Sequence, residues 1–281
     1  MIKADEEDVM RTFFFGDIHG NIPALEECLR HMDSLRVDEV YCLGDIVGWL
    51  PFGDRTLKRM LSLGIPTVAG NHDLLVAGLF TDRPDQSDRR QATAYNAGLL
   101  SAMEGATDFL LSLPLVLDRE RFIVVHHSPF HLPPAGRKPT IDCFDYLNER
   151  ALRSSLGPWS TGPHRLIFSG HDHIPAVYEL PDSAQPPRLE DIRIHRPPAE
   201  RPHTIRLSQA SRYWIKAGSV GGPYRDGVSV ANSVLYDSAE EAITLFRLPY
   251  RAEELCRELV SNRFYMNLDT MRRYVDLAGG E

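Results

Sequence analysis

No apolar run in this 281-residue chain approaches the roughly 18–20 residues that a membrane-spanning helix needs. The best, Leu110 to Leu117, is broken by Ser112 and Pro114. The N-terminal MIKADEEDVM also lacks the basic-then-apolar order of a secretory signal. Together these absences predict a cytoplasmic protein with no membrane partner. Four cysteines (Cys28, Cys42, Cys143 and Cys256) stand far apart with no CxxC pair, which excludes a zinc ribbon or a dithiol redox site and reads as free thiols. Basic charge is short as well. Lys and Arg number 31 against 39 Asp and Glu, for a net charge of -8, and no basic stripe of the kind that binds a nucleic-acid backbone is evident. An acidic chain can still handle small phosphorylated molecules where metal ions or a few arginines supply local positive charge.

Apolar material is ample for a core, at 43% of residues. Over the first 175 residues a unit recurs, in which a strand-length apolar run ends in a Gly or His cluster and a helical segment often follows. The runs are Thr12–Phe15, Val40–Leu43, Ile65–Ala69, Phe122–Val125 and Leu166–Phe168. Runs without strict alternation read as strands buried on both faces. Helices are predicted over Ala24–His31, with Pro23 in the first turn, and over Thr56–Leu63, ending at Gly64. Another is predicted over Ala106–Leu111, behind a capping box of Ser101 and Glu104. Strand–helix–strand repetition argues for largely parallel central strands, whose ligands gather beyond the carboxyl ends. Six prolines between 181 and 202 exclude a regular helix or central strand there, leaving Ile192 and Ile194 for a short edge strand. Further strands are expected at Tyr213–Lys216, Ser229–Tyr236 and Ile243–Leu248. The whole reads as one domain over 1–281, with a Pro-rich insertion at about 181–206 and a C-terminal helical segment at about 251–277.

Six of eleven histidines (His19, His72, His126, His127, His171 and His173) fall in the clusters at strand ends, beside Asp17, Asp45, Asn71, Asp73 and Asp172. Imidazole and carboxylate without thiolate form a ligand set for first-row divalent metals such as Mn, Fe, Co, Ni or Zn. In extended backbone, residues i and i+2 point the same way, so Asp17 with His19, and His171 with His173, can each share an ion. Flanking glycines at 16, 20, 44, 70 and 170 permit the sharp turns that a crowded cluster needs.

The motifs GDIHGN (16–21), GDIVG (44–48), GNHD (70–73), VHHSP (125–129) and GHDH (170–173) resemble those of the calcineurin-like metallophosphoesterases. The later AGSVGGPYRDG (217–227) is similar to a segment of that superfamily's bacterial phosphodiesterase-like branch. The resemblance implies an α/β fold, a four-layer αββα sandwich of two mixed β-sheets flanked by helices, with two divalent metal ions at the strand ends. Asp17, His19 and His173 would hold one ion, and Asn71, His126 and His171 the other, with Asp45 bridging. His72 would be the catalytic histidine donating to the phosphoryl oxygen or leaving group, oriented by Asp73 or Asp45. The implied reaction is hydrolysis of phosphodiesters or small phosphomonoesters through attack by a hydroxide shared between the metals. Three departures from the family pattern stand out: His127 where glycine is common, Asp172 where threonine is common, and Lys216-Ala217 where Asn-Pro is common. None is a proposed ligand.

Protein phosphatases of the superfamily usually read GDxVDRG, whereas this chain has GDIVGWLP, which argues against that class. Arg225, and beside it His127, are candidates for substrate binding, the guanidinium because its planar fork suits phosphate. Arg225 could instead form a salt bridge with Asp226. Trp49 and Phe52 suit either packing or stacking on a nucleobase, and the arginines of the insertion suit either a solvated loop or a basic lid. The expected partner is a small phosphorylated substrate, a nucleotide among the candidates, and homo-oligomerisation stays open. Alternative functions are a dinucleoside polyphosphate hydrolase, a protein phosphatase, or a non-catalytic scaffold on the same fold.

Overall fold

A computed structural model describes residues 9–183, 186–199 and 201–278. Residues 1–8 of the acidic N-terminal segment, residues 184, 185 and 200 of the Pro-rich stretch, and the last three residues lie outside these.

The run RTFFF forms β1 (Arg11–Phe15), and its three phenylalanines are all fully buried. Alternation along the strand sends Phe13 and Phe15 to one face and Phe14 to the other, and both faces are covered. β1 pairs in parallel with β2 (Glu39–Cys42) and antiparallel with β10 (Ala231–Asp237). β11 (Ala242–Leu248) and β8 (His203–Arg206) complete this first sheet, in the order β2-β1-β10-β11-β8. In the second sheet β3 (Val116–Asp118), β4 (Phe122–Val125), β5 (Leu166–Ser169), β9 (Ser211–Lys216), β6 (Ala176–Pro181) and β7 (Arg193–His195) follow in that order.

Among the strands of the described residues, only β1–β2 and β4–β5–β9 are parallel. The expectation of largely parallel strands therefore holds for the strands that carry the motifs and fails for the rest. The β10–β11 hairpin supplies the antiparallel half of the first sheet, since a tight turn can join only antiparallel neighbours. The expected strand Ile65–Ala69 reduces to one parallel bridge between Cys42 and Thr67. Pro66 has no N–H for a ladder and contributes only its carbonyl, which accepts from Cys42 N at 2.9 Å. Ile192 and Ile194 flank or occupy β7, an edge strand as expected. The Pro-rich stretch also supplies β8 at the edge of the other sheet, which the prolines had hidden.

The inner faces meet in a core that includes Phe14, Tyr41, Phe122, Phe168, Ile215 and Leu245. Outside the first sheet pack α1 (Ile22–Ser34) and α2 (Gly53–Leu63); outside the second packs α6 (Glu149–Thr161), through Ala151, Leu156 and Trp159 against Ile167 and Trp214. This is the four-layer sandwich. Asn21 caps α1 by accepting from Ala24 N at 3.1 Å, and Gly64 ends α2 at φ 62° as a left-handed cap.

α3 (Asn71–Val76) follows the GNHD glycine, and α4 (Ser87–Leu100) precedes α5 (Ala106–Ser112). The expected capping box in front of α5 is absent. Ser101 instead ends α4, donating to Gly98 O at 2.7 Å, and Gly105 precedes α5. The C-terminal α7 (Glu253–Ser261), α8 (Arg263–Met266) and α9 (Asp269–Ala278) pack Leu255, Leu259, Tyr265 and Tyr274 against Trp49 and Leu50. Among the described residues no helix is long and apolar enough to cross a membrane.

Candidate metal centre

Asp17 and His19 follow β1, Asp45 follows β2, His126 follows β4, and His171 and His173 follow β5. All six lie at the carboxyl ends of parallel strands, three from each sheet, and Asn71 and His72 open α3 beside them. Each of these eight side chains is 4% exposed or less.

Their convergence does not come from strand alternation. Asp17 (φ 50°), His19 (52°), Asp45 (55°), His171 (71°) and His173 (62°) all have positive φ. Seven described non-glycine residues do, and five of them are in this cluster. The left-handed region costs a non-glycine residue free energy, least for Asp, Asn and His, and it persists where surrounding contacts over-determine it. Those contacts are visible. Asp17 holds His171 N through Oδ2 at 2.9 Å, and Asp45 Oδ1 holds His72 N at 2.8 Å. Asp73 accepts from Asp45 N and Ile46 N, both at 2.8 Å, and from Gly70 N at 3.1 Å. Gly70 has to be glycine because a Cβ there would lie 2.0 Å from Asp45 Oδ1.

The tautomers follow from the hydrogen bonds. A carbonyl can only accept, so a ring nitrogen facing one carries the proton. His19 Nδ1 faces Val47 O (3.3 Å), His126 Nδ1 faces Leu43 O (2.7 Å) and His173 Nδ1 faces Pro223 O (2.8 Å). Their Nε2 atoms therefore all point inward. His19 Nε2 and His173 Nε2 stand only 3.0 Å apart, two nitrogens turned toward one point. Asp17 Oδ1 lies 3.5 Å from His173 Nε2. Asp45 Oδ2 lies 3.6 Å from His19 Nε2 and 3.2 Å from His126 Nε2, and Asn71 Oδ1 and His171 Nδ1 each lie 3.2 Å from that same His126 nitrogen. Three overlapping groups result, Asp17–His19–His173, Asp45–His126–His171 and His19–Asp45–His72, so that Asp45 reaches toward both sides of the cluster. Ligating atoms crowded this closely fit divalent cations, which would displace a proton such as that on His126, and the backbone carbonyls behind the rings orient them as ligand-supporting partners do.

The electrostatics agree. Burial drives His19 and His171 well below the usual histidine range, leaving neutral imidazoles. Burial likewise takes His72 down to about 3, although Asp45 opposes it. Burial also opposes a charge on His126, but Asp45 outweighs it by charge and hydrogen bond and lifts that ring to about 9. Negative potential around Asp45 thus attracts a cation even at a desolvated position.

The cluster gathers all seven expected ligands and His72. Neither Asp73 nor Asp45 holds the His72 ring, however: Asp73 braces the Asp45 loop, and Asp45 holds only the His72 backbone. Nδ1 of His72 is buried with no hydrogen-bond partner among the described residues. Its ring packs edge-on to His19 at 4.6 Å and beside Trp49 at 5.4 Å. Trp49 is 7% exposed within the core against the C-terminal helices, and Phe52 lies under the Arg55 guanidinium, so both are packing residues.

His127 is 3% exposed, edge-on to His171 at 5.2 Å, with both ring nitrogens unpartnered among the described residues. Arg225 lies outside the cluster. It does not pair with Asp226, which Arg247 engages at 2.7 Å; its guanidinium lies over the ring of Tyr146 at 4.2 Å. Tyr146 stacks on His171 at 5.0 Å, and nothing in its irregular sequence context singled it out. A separate cavity of about 580 Å³ between α1, α2 and the start of α7 contains none of these residues, and its charged walls include Arg55–Glu254 and Arg30–Glu27 pairs.

The model of the calcineurin-like phosphoesterase family matches residues 10–175, which carry every cluster residue. The chain belongs to this family. Within it, the chain is similar to a metallophosphoesterase from Sphaerobacter thermophilus, with a TM-score of 0.72 and 26% identity over 97% of this chain and 100% of that one. An uncharacterized protein of Methanocaldococcus jannaschii is 28% identical over 251 residues, 88% of this chain and 90% of the relative. A hypothetical protein of Pyrococcus horikoshii shares the fold, with a TM-score of 0.62 at 16% identity over 96% of this chain and 99% of that one. As a calcineurin-like phosphoesterase, the chain carries its family match up to two residues beyond His173; the Arg225 loop and the C-terminal helices lie past it.

Proposed function

We propose that the protein is a phosphoesterase dependent on two divalent metal ions, which hydrolyses phosphodiesters or small phosphomonoesters. The observation that supports this reading is the crowding of buried ligating atoms, above all the facing Nε2 atoms of His19 and His173. In the proposed assignment Asp17, His19 and His173 hold one ion, Asn71, His126 and His171 the second, and Asp45 both. When bound, such a pair supplies Lewis-acid chemistry, neutralising phosphoryl charge and lowering the pKa of a water.

The chain's own residues do the rest. Val47, Leu43 and Pro223 carbonyls keep three imidazoles in the ligating tautomer. Asp73 fixes the loop from which Asp45 projects. His72, neutral and with an unpartnered Nδ1, is placed to hydrogen-bond a phosphoryl oxygen or to exchange a proton with the leaving group. Four cysteines without a disulfide suit a reducing compartment, so a cytoplasmic location goes with this proposal.

The test combines elemental analysis of the purified protein with hydrolysis of bis(p-nitrophenyl) phosphate and p-nitrophenyl phosphate in added Mn, Fe, Co, Ni or Zn. About two equivalents of metal per chain and metal-dependent turnover are expected. Absence of both binding and turnover with every metal would leave a scaffold on the same fold.

A further inference from the structure

On the His171 side of the metal centre, a cleft of about 240 Å³ is bounded by Tyr146, Tyr178, Arg196, Lys216, Arg225 and Asp172, among others. Asp172 lies between two proposed ligands in the chain, and the Tyr146 ring stacks on the imidazole of one of them, His171. Charge inside the cleft is unbalanced. The buried Lys216 ammonium meets the Asp172 carboxylate, and these two cancel. The guanidiniums of Arg196 and Arg225 are exposed and have no carboxylate within ion-pair reach among the described residues. Neighbouring acids are already engaged: Asp226 by Arg247, and Glu179 by Arg193 and His195.

Arg225 is also held in place. Its Nη2 donates to the Tyr146 hydroxyl at 2.5 Å while the guanidinium lies over the Tyr146 ring, and its other N–H donors have no partner among the described residues. A guanidinium fixed in this way loses little freedom on meeting an anion, and its planar fork suits phosphate or carboxylate. Arg196 comes from the Pro-rich stretch just beyond β7, so this segment contributes a wall of the cleft.

We propose that this cleft binds a second anionic group of the substrate, so that the enzyme acts on phosphoesters carrying a further phosphate or carboxylate a few bonds from the scissile ester. Recognition is by Arg196 and Arg225, while the scissile group sits at the metal centre; the inference rests on the phosphoesterase reading above.

The experiment compares matched probes. Fructose 1,6-bisphosphate against fructose 6-phosphate tests a second phosphate, and 3-phosphoglycerate against glycerol 3-phosphate tests a carboxylate. Affinities are measured by titration calorimetry on the metal-loaded His72→Ala protein, and kcat/KM on the metal-loaded wild type. At least one doubly anionic probe should bind about tenfold or more tightly than its singly anionic partner, as a charge-assisted contact implies. That preference should collapse in Arg196→Gln and in Arg225→Gln, through KM, with unfolding temperatures unchanged. Equal affinities within both pairs, or a preference that survives both substitutions, would overturn the proposal. The phosphoesterase reading is decided separately, by the metal analysis and nitrophenyl ester assays above; should it fail there, the binding comparison still decides the cleft.

Discussion

Phe14 and Phe168 stack across the two sheets, with ring centroids 3.7 Å apart and planes within 7°. Three residues beyond each lie Asp17 and His171, and there the Asp17 carboxylate accepts from the His171 backbone N–H at 2.9 Å. A core contact and a site contact are thus two ends of one registration between β1 and β5. Phe14→Ala should cost about 3–5 kcal/mol, as expected for a buried phenylalanine leaving a cavity, and should weaken metal binding. Phe14→Leu should recover most of both. Urea midpoints and metal titration of the two variants check this; full metal affinity in a destabilised Phe14→Ala protein would uncouple core from site.

Asp45→Asn keeps the shape of the side chain and one oxygen for His72 N, but removes the charge that reaches toward both sides of the cluster. Loss of at least one equivalent of bound metal is expected. Activity should fall further than the roughly 10–100-fold typical of losing a partner behind a ligand. Elemental analysis of the variant, alongside its circular dichroism, makes the measurement.

Gly48 lies against His72 at φ 128°, and a Cβ there would sit 2.5 Å from His72 Nδ1. Gly48→Ala should therefore displace His72 and leave the seven proposed ligands in place. Its kcat should fall toward that of His72→Ala, itself about 10²–10⁴-fold down for loss of a positioned acid–base group, with metal content kept. Loss of metal together with activity would mean that His72 helps hold the cluster.

Asn21, in the first motif, donates to the Tyr274 hydroxyl at 2.7 Å and to the Tyr250 hydroxyl at 3.1 Å, and those two hydroxyls are 2.6 Å apart. Tyr274→Phe removes one member of this buried network. About 1 kcal/mol of stability should be lost, with metal content unaltered, because Asn21 keeps its bond to Gly221 O. Denaturant unfolding followed with a metal assay separates the two effects.

The strands that carry the motifs were legible because they are short, β-rich and buried on both faces. Asp17, Asp45 and His171 were legible because each ends such a run. What failed did so for local reasons. A proline emptied the ladder at Ile65–Ala69, and Ser101 was taken up by the end of α4; the i, i+2 rule assumed an extended backbone that positive φ replaces, and while Asp17 and His19 do share a group, His171 and His173 fall in different ones. The Pro-rich stretch concealed β8 because its pairing partner, β11, lies some 40 residues further along the chain.

From residue types alone, the chain determined a divalent-metal donor set at strand ends, since imidazole and carboxylate carry their coordination chemistry wherever they are placed. Tertiary structure decided which nitrogen each ring turns inward, that Asp73 braces a loop instead of orienting His72, and that Arg225 rests on Tyr146 at the mouth of a cleft. Those choices depend on carbonyls, rings and charges brought together from distant segments, as with His19 and His173 at 154 positions apart. Spacing along the chain carries no record of such encounters; packing of one sheet upon the other creates them.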